Sequence, residues 1–428
     1  MSDEAFWDAN QRFFTERMGQ PCCTLAGIAR ILTQMPGRFA VVVHGEDGCL
    51  DCFPHFEGRS VSHFYGSRVS QLDCAAGRTE AVLESCLAAV LAGQDRPELV
   101  FVLSSCLMEM IGSDLEGVCR RAARKHGVPV LALRTSGLKI VSQAEYTDWF
   151  YGVLAGLGGS RPRRPAAPGA LNIVGLPRLE PGPRRELESL LAAAGARLRC
   201  SYPLDAGLDD WRSFAAAAAH AVVDSGLYPS FTARLRKLEA PLIPVPLPVG
   251  LAPTLRFFRA IARAFAAVPA MDRALAGPAA EARERMRGFA RRFGGLRVAV
   301  GLRMANFAGA SRLAFDGLGE LAAFTELGWK PTLLIQGPPE KKARDYFASR
   351  LRRLGCRAPA LVFAEPGELE HLLGGGRFDA AFMGDHARDY ARAAGVPLIG
   401  ASSLAPFFGG IARNLAVFAA ALDGKGKR

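Results

Sequence analysis

Short apolar runs alternate with amphipathic stretches along nearly the whole chain. "RFAVVV" leads into His44. "GRTEAVLESCLAAVLAG" has helical spacing. "ELVFVLSSC" is a second run, ending at Ser104–Cys106, "DLEGVCRRAARKHG" is a helical stretch closed by Gly127, and "VPVLALRTSG" is a third run. Near-continuous apolar segments of strand length, separated by segments of helical period, predict β-α-β units and parallel strands covered on both faces.

The pattern repeats twice more. A stretch rich in proline and arginine, "SRPRRPAAPGA" (160–170), reads as a boundary linker. Beyond it, "LNIVG", "AHAVVDSG" and "PLIPVPLPVG" are strand candidates, with helices in "RRELESLLAAAG" and "APTLRFFRAIARAFA". "MDRALAGPAAEARERMRGFARRFG" reads as a long surface helix leading to a third block. There "LRVAVG", "KPTLLIQG", "APALVFAE", "RFDAAFMGDH" and "VPLIG" supply strands, and "FFGGIARNLAVFAAALDG" a last helix. The expectation is an α/β chain of three Rossmann-like domains, each a parallel sheet flanked by helices, over residues 1–160, 170–265 and 290–428.

Composition agrees and narrows the function. The chain has 428 residues, half of them hydrophobic, enough for several cores. Its net charge is +12, but the arginines are spread along the chain. No basic stripe interleaved with aromatics argues for nucleic acid. The acidic, aromatic start "MSDEAFWDANQRFF" has no signal-peptide pattern, and no charge-free apolar run reaches the roughly 18 residues of a membrane span. The expected location is the cytoplasm, where ten cysteines are thiols or ligands rather than disulfides.

In parallel sheets, ligands sit beyond the carboxyl ends of strands. Two cysteine-bearing segments, "HGEDGC" (44–49) and "SSC" (104–106), fall at such ends. Cys49 and Cys52 have C-x-x-C spacing, which suits zinc or a redox dithiol. A zinc site needs two more ligands at comparable spacing, and no second C-x-x-C exists. Cys23, Cys49 and Cys106 together offer soft thiolates from three separate loops, a donor set suited to an iron–sulfur cluster. Three is one short of the usual four, and another subunit or another residue type could supply the fourth. Gly45 and Gly48 permit tight backbone approach. Cys74, Cys86, Cys119, Cys200 and Cys356 read as packing, and Cys22 as a bystander.

The motifs "CTLAG" (23–27), "HGEDGC" (44–49) and "SCLMEMIGSDL" (105–115) resemble the component 1 superfamily of nitrogenase. Its relatives include cofactor-assembly scaffold subunits and the protochlorophyllide and chlorophyllide reductases. "PLPVGLAPTLRFF", "GDHARDYARAAGVPLIG" and "FFGGIARN" extend the resemblance over nearly the whole chain. It implies three Rossmann-like domains. It also implies that Cys23, Cys49 and Cys106 hold a 4Fe–4S or eight-iron cluster shared with a homologous partner subunit in a heterotetramer. A separate homodimeric iron–sulfur ATPase would donate the electrons. ATP would act only on that partner, in line with the absence of a P-loop here. The function implied is an iron–sulfur subunit of a two-component, ATP-dependent reductase. The alternatives are a scaffold for metal-cofactor assembly and a pigment-reductase subunit.

The family's catalytic α subunit holds its large cofactor through a cysteine and a histidine. The matching places here carry Ser225 and Phe408, with His386 as a reserve candidate. The expectation is a chain that holds no such cofactor by itself, either a β-type subunit or a family member that uses none, and no catalytic residue is assigned. His44 positions the turn or meets the cluster edge. Ser104 and Ser105 donate to sulfide or end the strand. Asp114 is a helix-start acid, and Glu46 and Asp47 are turn acids.

Overall fold

The computed structural model describes residues 23–50, 63–93, 95–136, 143–158, 168–176, 178–225, 228–237, 241–303, 318–336, 352, 358–363, 366–384, 387–400 and 404–423. Cys22, Cys52, Cys356, His386 and most of the 160–170 stretch lie outside them.

The described residues form three all-parallel sheets. The first contains β1 (Phe39–His44), β2 (Phe64–Gly66), β3 (Leu99–Ser104) and β4 (Val130–Leu133), in the order β2-β1-β3-β4. The second contains β5 (Ala170–Val174), β6 (Arg197–Tyr202), β7 (Ala219–Val223) and β8 (Leu242–Val245), in the order β6-β5-β7-β8. The third contains β9 (Arg297–Arg303), β10 (Lys330–Gln336), β11 (Ala360–Phe363), β12 (Ala380–Met383) and β13 (Leu398–Gly400), in the order β11-β10-β9-β12-β13. Helices connect the strands, so the α/β class with Rossmann-like sheets is the one the apolar runs implied.

The chain divides into two compact units. One comprises Pro21–Gly159 with Pro203–Ser213. In it every residue of β1 and β3 is buried. One sheet face packs Val42, Val100 and Val102 against Leu83, Leu87 and Val118 of the helices Thr79–Ala92 and Leu115–His126. On the same sheet, Phe101 meets Phe150 of the helix Gln143–Gly156 edge-on, with ring centres 6.3 Å apart. The helix Leu115–His126 starts on Asp114, whose carboxylate accepts from the Gly117 N–H at 2.9 Å, and stops on Gly127 in the left-handed region. Asp114 is therefore the helix-start acid the sequence suggested.

The other unit holds the second and third sheets, Ser160–Tyr202 with Phe214–Arg428. They share one hydrophobic core, in which Phe324 stacks on Trp329 at 5.6 Å and Phe418 of the last helix closes over Trp329 at 5.2 Å. The long helix Val268–Phe293 packs Met271, Leu275 and Ala282 into that core.

Candidate functional site

The strand order of the first sheet reverses between β1 and β3. In open α/β sheets the crevice at that switch point, outside the carboxyl ends of the strands, is where ligands bind. The two strands run in register there, with His44 opposite Ser104. Gly45 and the short helix Asp47–Leu50, which carries Cys49, follow β1. Ser105 and the helix Cys106–Met110 follow β3. Both cysteine-bearing segments therefore leave adjacent strands at the same level.

Three contacts tie these segments together. The Ser105 N–H donates to the His44 carbonyl at 2.9 Å. The Ser105 hydroxyl donates to Glu46 Oε2 at 3.3 Å, and accepts from the Met108 N–H at 3.3 Å as N-cap of the Cys106 helix. A Cβ placed on Gly45 would lie 2.7 Å from the Ser105 Cβ and 3.8 Å from the Cys49 Cβ. Gly45 is thus the glycine on which the close approach depends. Gly48 is not, because a Cβ there would meet nothing within 4 Å.

His44 has a defined place. It is fully buried, with Nδ1 3.0 Å from the Ser67 hydroxyl and Nε2 3.2 Å from the Ser113 hydroxyl. Burial holds its pKa down at about 4, so the ring is neutral near pH 7. With both nitrogens engaged, His44 braces the ends of β1 and β2 and the start of the Leu115–His126 helix. Ser104 is equally committed. Its hydroxyl donates to Glu109 Oε1 at 2.5 Å and accepts from the Thr135 N–H at 3.2 Å.

Cys23 is the N-cap of the helix Thr24–Gln34, its Sγ accepting from the Ala26 N–H at 3.4 Å. Beside it Thr24 is fully buried, and its hydroxyl has no hydrogen-bond partner among the described residues. Cys23 and Cys49 are half-buried and Cys106 is exposed. Among the described residues no three His, Cys, Asp or Glu side chains gather tightly enough for a single metal ion. By its chemistry, a set of three cysteine side chains fits a sulfide-bridged iron group. The site offers three cysteine side chains on three segments of one unit, a cradle that only a glycine permits, and a buried hydroxyl next to Cys23 that has no hydrogen-bond partner among the described residues.

The remaining cysteines divide. Cys119 and Cys200 are buried, and burial pushes the Cys119 thiol up to about 12, as packing residues require. Cys74 and Cys86 are half-buried. Cys86 lines an open groove of about 830 Å³ between β2 and the helix Thr79–Ala92, together with Tyr65, Arg68 and Arg78.

In the other unit, Ser225 follows β7 and is half-buried. Phe408 is buried in the first turn of the helix Phe407–Asp423. The Phe408 and Gly409 N–H groups donate to the two carboxylate oxygens of Glu186, at 2.7 and 3.0 Å. Glu326 closes another helix start in the same way, accepting from the Leu251 and Ala252 N–H groups at 2.6 and 2.7 Å. These two helix-capping carboxylates, and Glu109 at the site, are not evident in the sequence. Glu186, Glu326 and the Glu109–Ser136 contact join residues too far apart in the chain for any local pattern to reveal them.

Comparison with known proteins follows the same lines. The family model for nitrogenase component 1 type oxidoreductases matches residues 23–408. A nitrogenase iron-molybdenum cofactor biosynthesis protein NifE of Methanococcus maripaludis is 27% identical over 144 residues, 32% of this chain and 29% of that protein. The NifE protein of Mesorhizobium japonicum is 33% identical over 137 residues, 30% of this chain and 26% of that protein. The matched stretch spans less than a third of these relatives. In fold, a structure of nitrogenase Cp1 at pH 5 superposes with a TM-score of 0.72 at 14% identity, covering 95% of this chain and 88% of that one. The same protein at pH 6.5 gives 0.73 at 13% identity. At these identities the likeness establishes the fold alone.

Proposed function

The chain belongs to the nitrogenase component 1 type oxidoreductase family, and from that premise we propose that it is an iron–sulfur subunit of a two-component, ATP-dependent reductase. Cys23, Cys49 and Cys106 are the thiolates that hold a 4Fe–4S or eight-iron cluster, with the remaining ligation from a homologous partner subunit in a cytoplasmic heterotetramer. The observation that carries this reading is the corner at the β1/β3 switch point, where the Gly45–Ser105 approach joins the Cys49 and Cys106 segments. When bound, the cluster supplies one-electron storage.

The chain's own residues do the rest. Ser105 and Glu46 hold the two cysteine segments in one geometry. His44, neutral and buried, braces the corner from behind. Met110 and Ile111, beside Cys106, are 71% and 47% exposed, an apolar edge suited to a partner's surface. No helix among the described residues is long and apolar enough to cross a membrane. The electron donor is a separate homodimeric iron–sulfur ATPase, and the chain passes its electrons to a substrate site that includes the partner.

The test is electron transfer. The anaerobically purified heteromer is mixed with the ATPase and MgATP and followed by electron paramagnetic resonance. A cluster signal that changes only when ATPase and nucleotide are both present supports the reading. A signal indifferent to them removes it. A second reading, a scaffold for metal-cofactor assembly, is favoured by the NifE matches. It is distinguished by release of a metal-bearing group to an acceptor protein without substrate reduction.

A further inference from the structure

Glu109 stands three residues after Cys106, in a helix of five residues. So short a helix cannot hold its own shape or direction, because its nucleation cost exceeds what its few internal bonds return. External anchors must fix it. Ser105 is the anchor at its start. At its other end the Glu109 carboxylate collects three donors: the Ser104 hydroxyl at 2.5 Å, the Ser136 N–H at 2.8 Å and the Ser136 hydroxyl at 2.9 Å. Ser104 is itself held by Thr135, whose N–H donates to its hydroxyl at 3.2 Å and whose hydroxyl donates to its carbonyl at 2.7 Å. One carboxylate therefore joins the end of β3, the Cys106 helix and the segment that follows β4.

We propose that Glu109 is the positioning residue for Cys106: its three-donor clamp sets the direction in which the Cys106 thiol is presented to the β1/β3 corner. The proposal rests on the reading of Cys106 as a cluster thiolate. The chemistry asks for a glutamate. The Ser104 hydroxyl and the Ser136 N–H share Oε1, and the Ser136 hydroxyl meets Oε2. Glutamine can keep its one oxygen at the shared place and turn its NH₂ to the Ser136 hydroxyl, but it loses the charge that strengthens all three bonds and forces that hydroxyl to reverse from donor to acceptor. Aspartate is one methylene too short to span the same donors. Hydrogen bonds to a charged acceptor are the strong kind, so losing one changes a local opening equilibrium by about tenfold.

The experiment compares wild type, Glu109→Gln, Glu109→Asp and Cys106→Ala, each purified anaerobically as the full chain with its partner. Iron, acid-labile sulfide and the resonance spectrum of the reduced complex are measured. After removal of metal with a chelator, the rate of Cys106 alkylation by iodoacetamide is measured relative to Cys49. The expected result for Glu109→Gln is a loss of iron, an altered spectrum and an alkylation ratio raised about tenfold, with Glu109→Asp no better. A Glu109→Gln complex with full iron, an unchanged spectrum and an unchanged ratio overturns the proposal. Should Glu109→Gln fail to fold, Ser136→Ala removes a single clamp bond. A raised ratio there supports the proposal and an unchanged one overturns it. Failure of the underlying reading looks different: the wild-type complex then holds no iron, while the clamp's effect on Cys106 alkylation persists. Loss of iron in Cys106→Ala but not in Glu109→Gln sinks the positioning role alone.

Discussion

Gly45 and Ser105 lie so close at the ends of β1 and β3 that any side chain on residue 45 would overlap the Ser105 Cβ, 2.7 Å from where a Cβ would stand. The neighbour that would have to move is buried and hydrogen-bonded at both its N–H and its hydroxyl. Two cysteine segments therefore share one corner because residue 45 is a glycine.

Gly45→Ala should destabilise the chain by about 2 kcal/mol, the scale of overpacking a filled site. It should also reduce cluster content, since the Cys49 and Cys106 segments are pushed apart. Gly48→Ala is the control. It adds a methyl group in open space within a short helix and should leave urea stability within about 1 kcal/mol of wild type. Equal losses for the two variants would show that close approach is not what residue 45 provides.

His44 makes the first unit sensitive to acid. Its folded pKa is depressed to about 4 against an ordinary 6.5. The unfolded chain therefore takes up a proton at a pH where the folded chain does not. The contribution is complete above the unfolded value and is lost as pH falls towards the folded one, to a limit of about 3 kcal/mol for this residue. His220, buried in β7 and also held down at about 4, adds a slope of the same sign in the other unit. Urea unfolding should show stability rising from about pH 5 to about pH 7, with His44→Gln flattening the part that belongs to the first unit. An unchanged slope in that variant would mean that His44 is not the titrating group.

Glu186, in the other unit, should matter to stability. Glu186→Ala strips the Phe408 and Gly409 N–H groups of their acceptor and should cost about 1–2 kcal/mol, the scale of a lost helix cap. Glu188→Ala, two residues on, breaks only an exposed pair with Arg184 and should cost a few tenths, on the order of 0.3 kcal/mol. Thermal melts of the two variants side by side check the difference.

Much of the fold was legible in the sequence because fully buried parallel strands leave uninterrupted apolar runs. "FAVVV" and "LVFVL" became β1 and β3, and "ALNIV" became β5. β2 escaped because it is a three-residue edge strand, half-buried, with no run to detect. The helix Thr24–Gln34 escaped because its cap is a cysteine rather than one of the usual capping side chains. At the site, the placement of Cys49 and Cys106 at strand ends followed from pattern alone. The work of Glu109, Ser136 and Glu186 did not, because each depends on a partner 27 or more residues away, Glu109 having Ser104 close by as well. His44 read as positioning the turn or meeting the cluster edge; it is the last residue of β1, with both ring nitrogens bonded to serine hydroxyls.

The central claim is that Cys23, Cys49 and Cys106 hold an iron–sulfur cluster, and the direct measurement is iron and acid-labile sulfide in the anaerobically purified heteromer. Wild type should be brown, with iron and sulfide in near-equal amounts. Cys23→Ser, Cys49→Ser and Cys106→Ser should each lose most of both, while Cys119→Ser, at a buried packing position, keeps them. A colourless wild-type complex, or three cysteine variants that retain their full iron, would contradict the account.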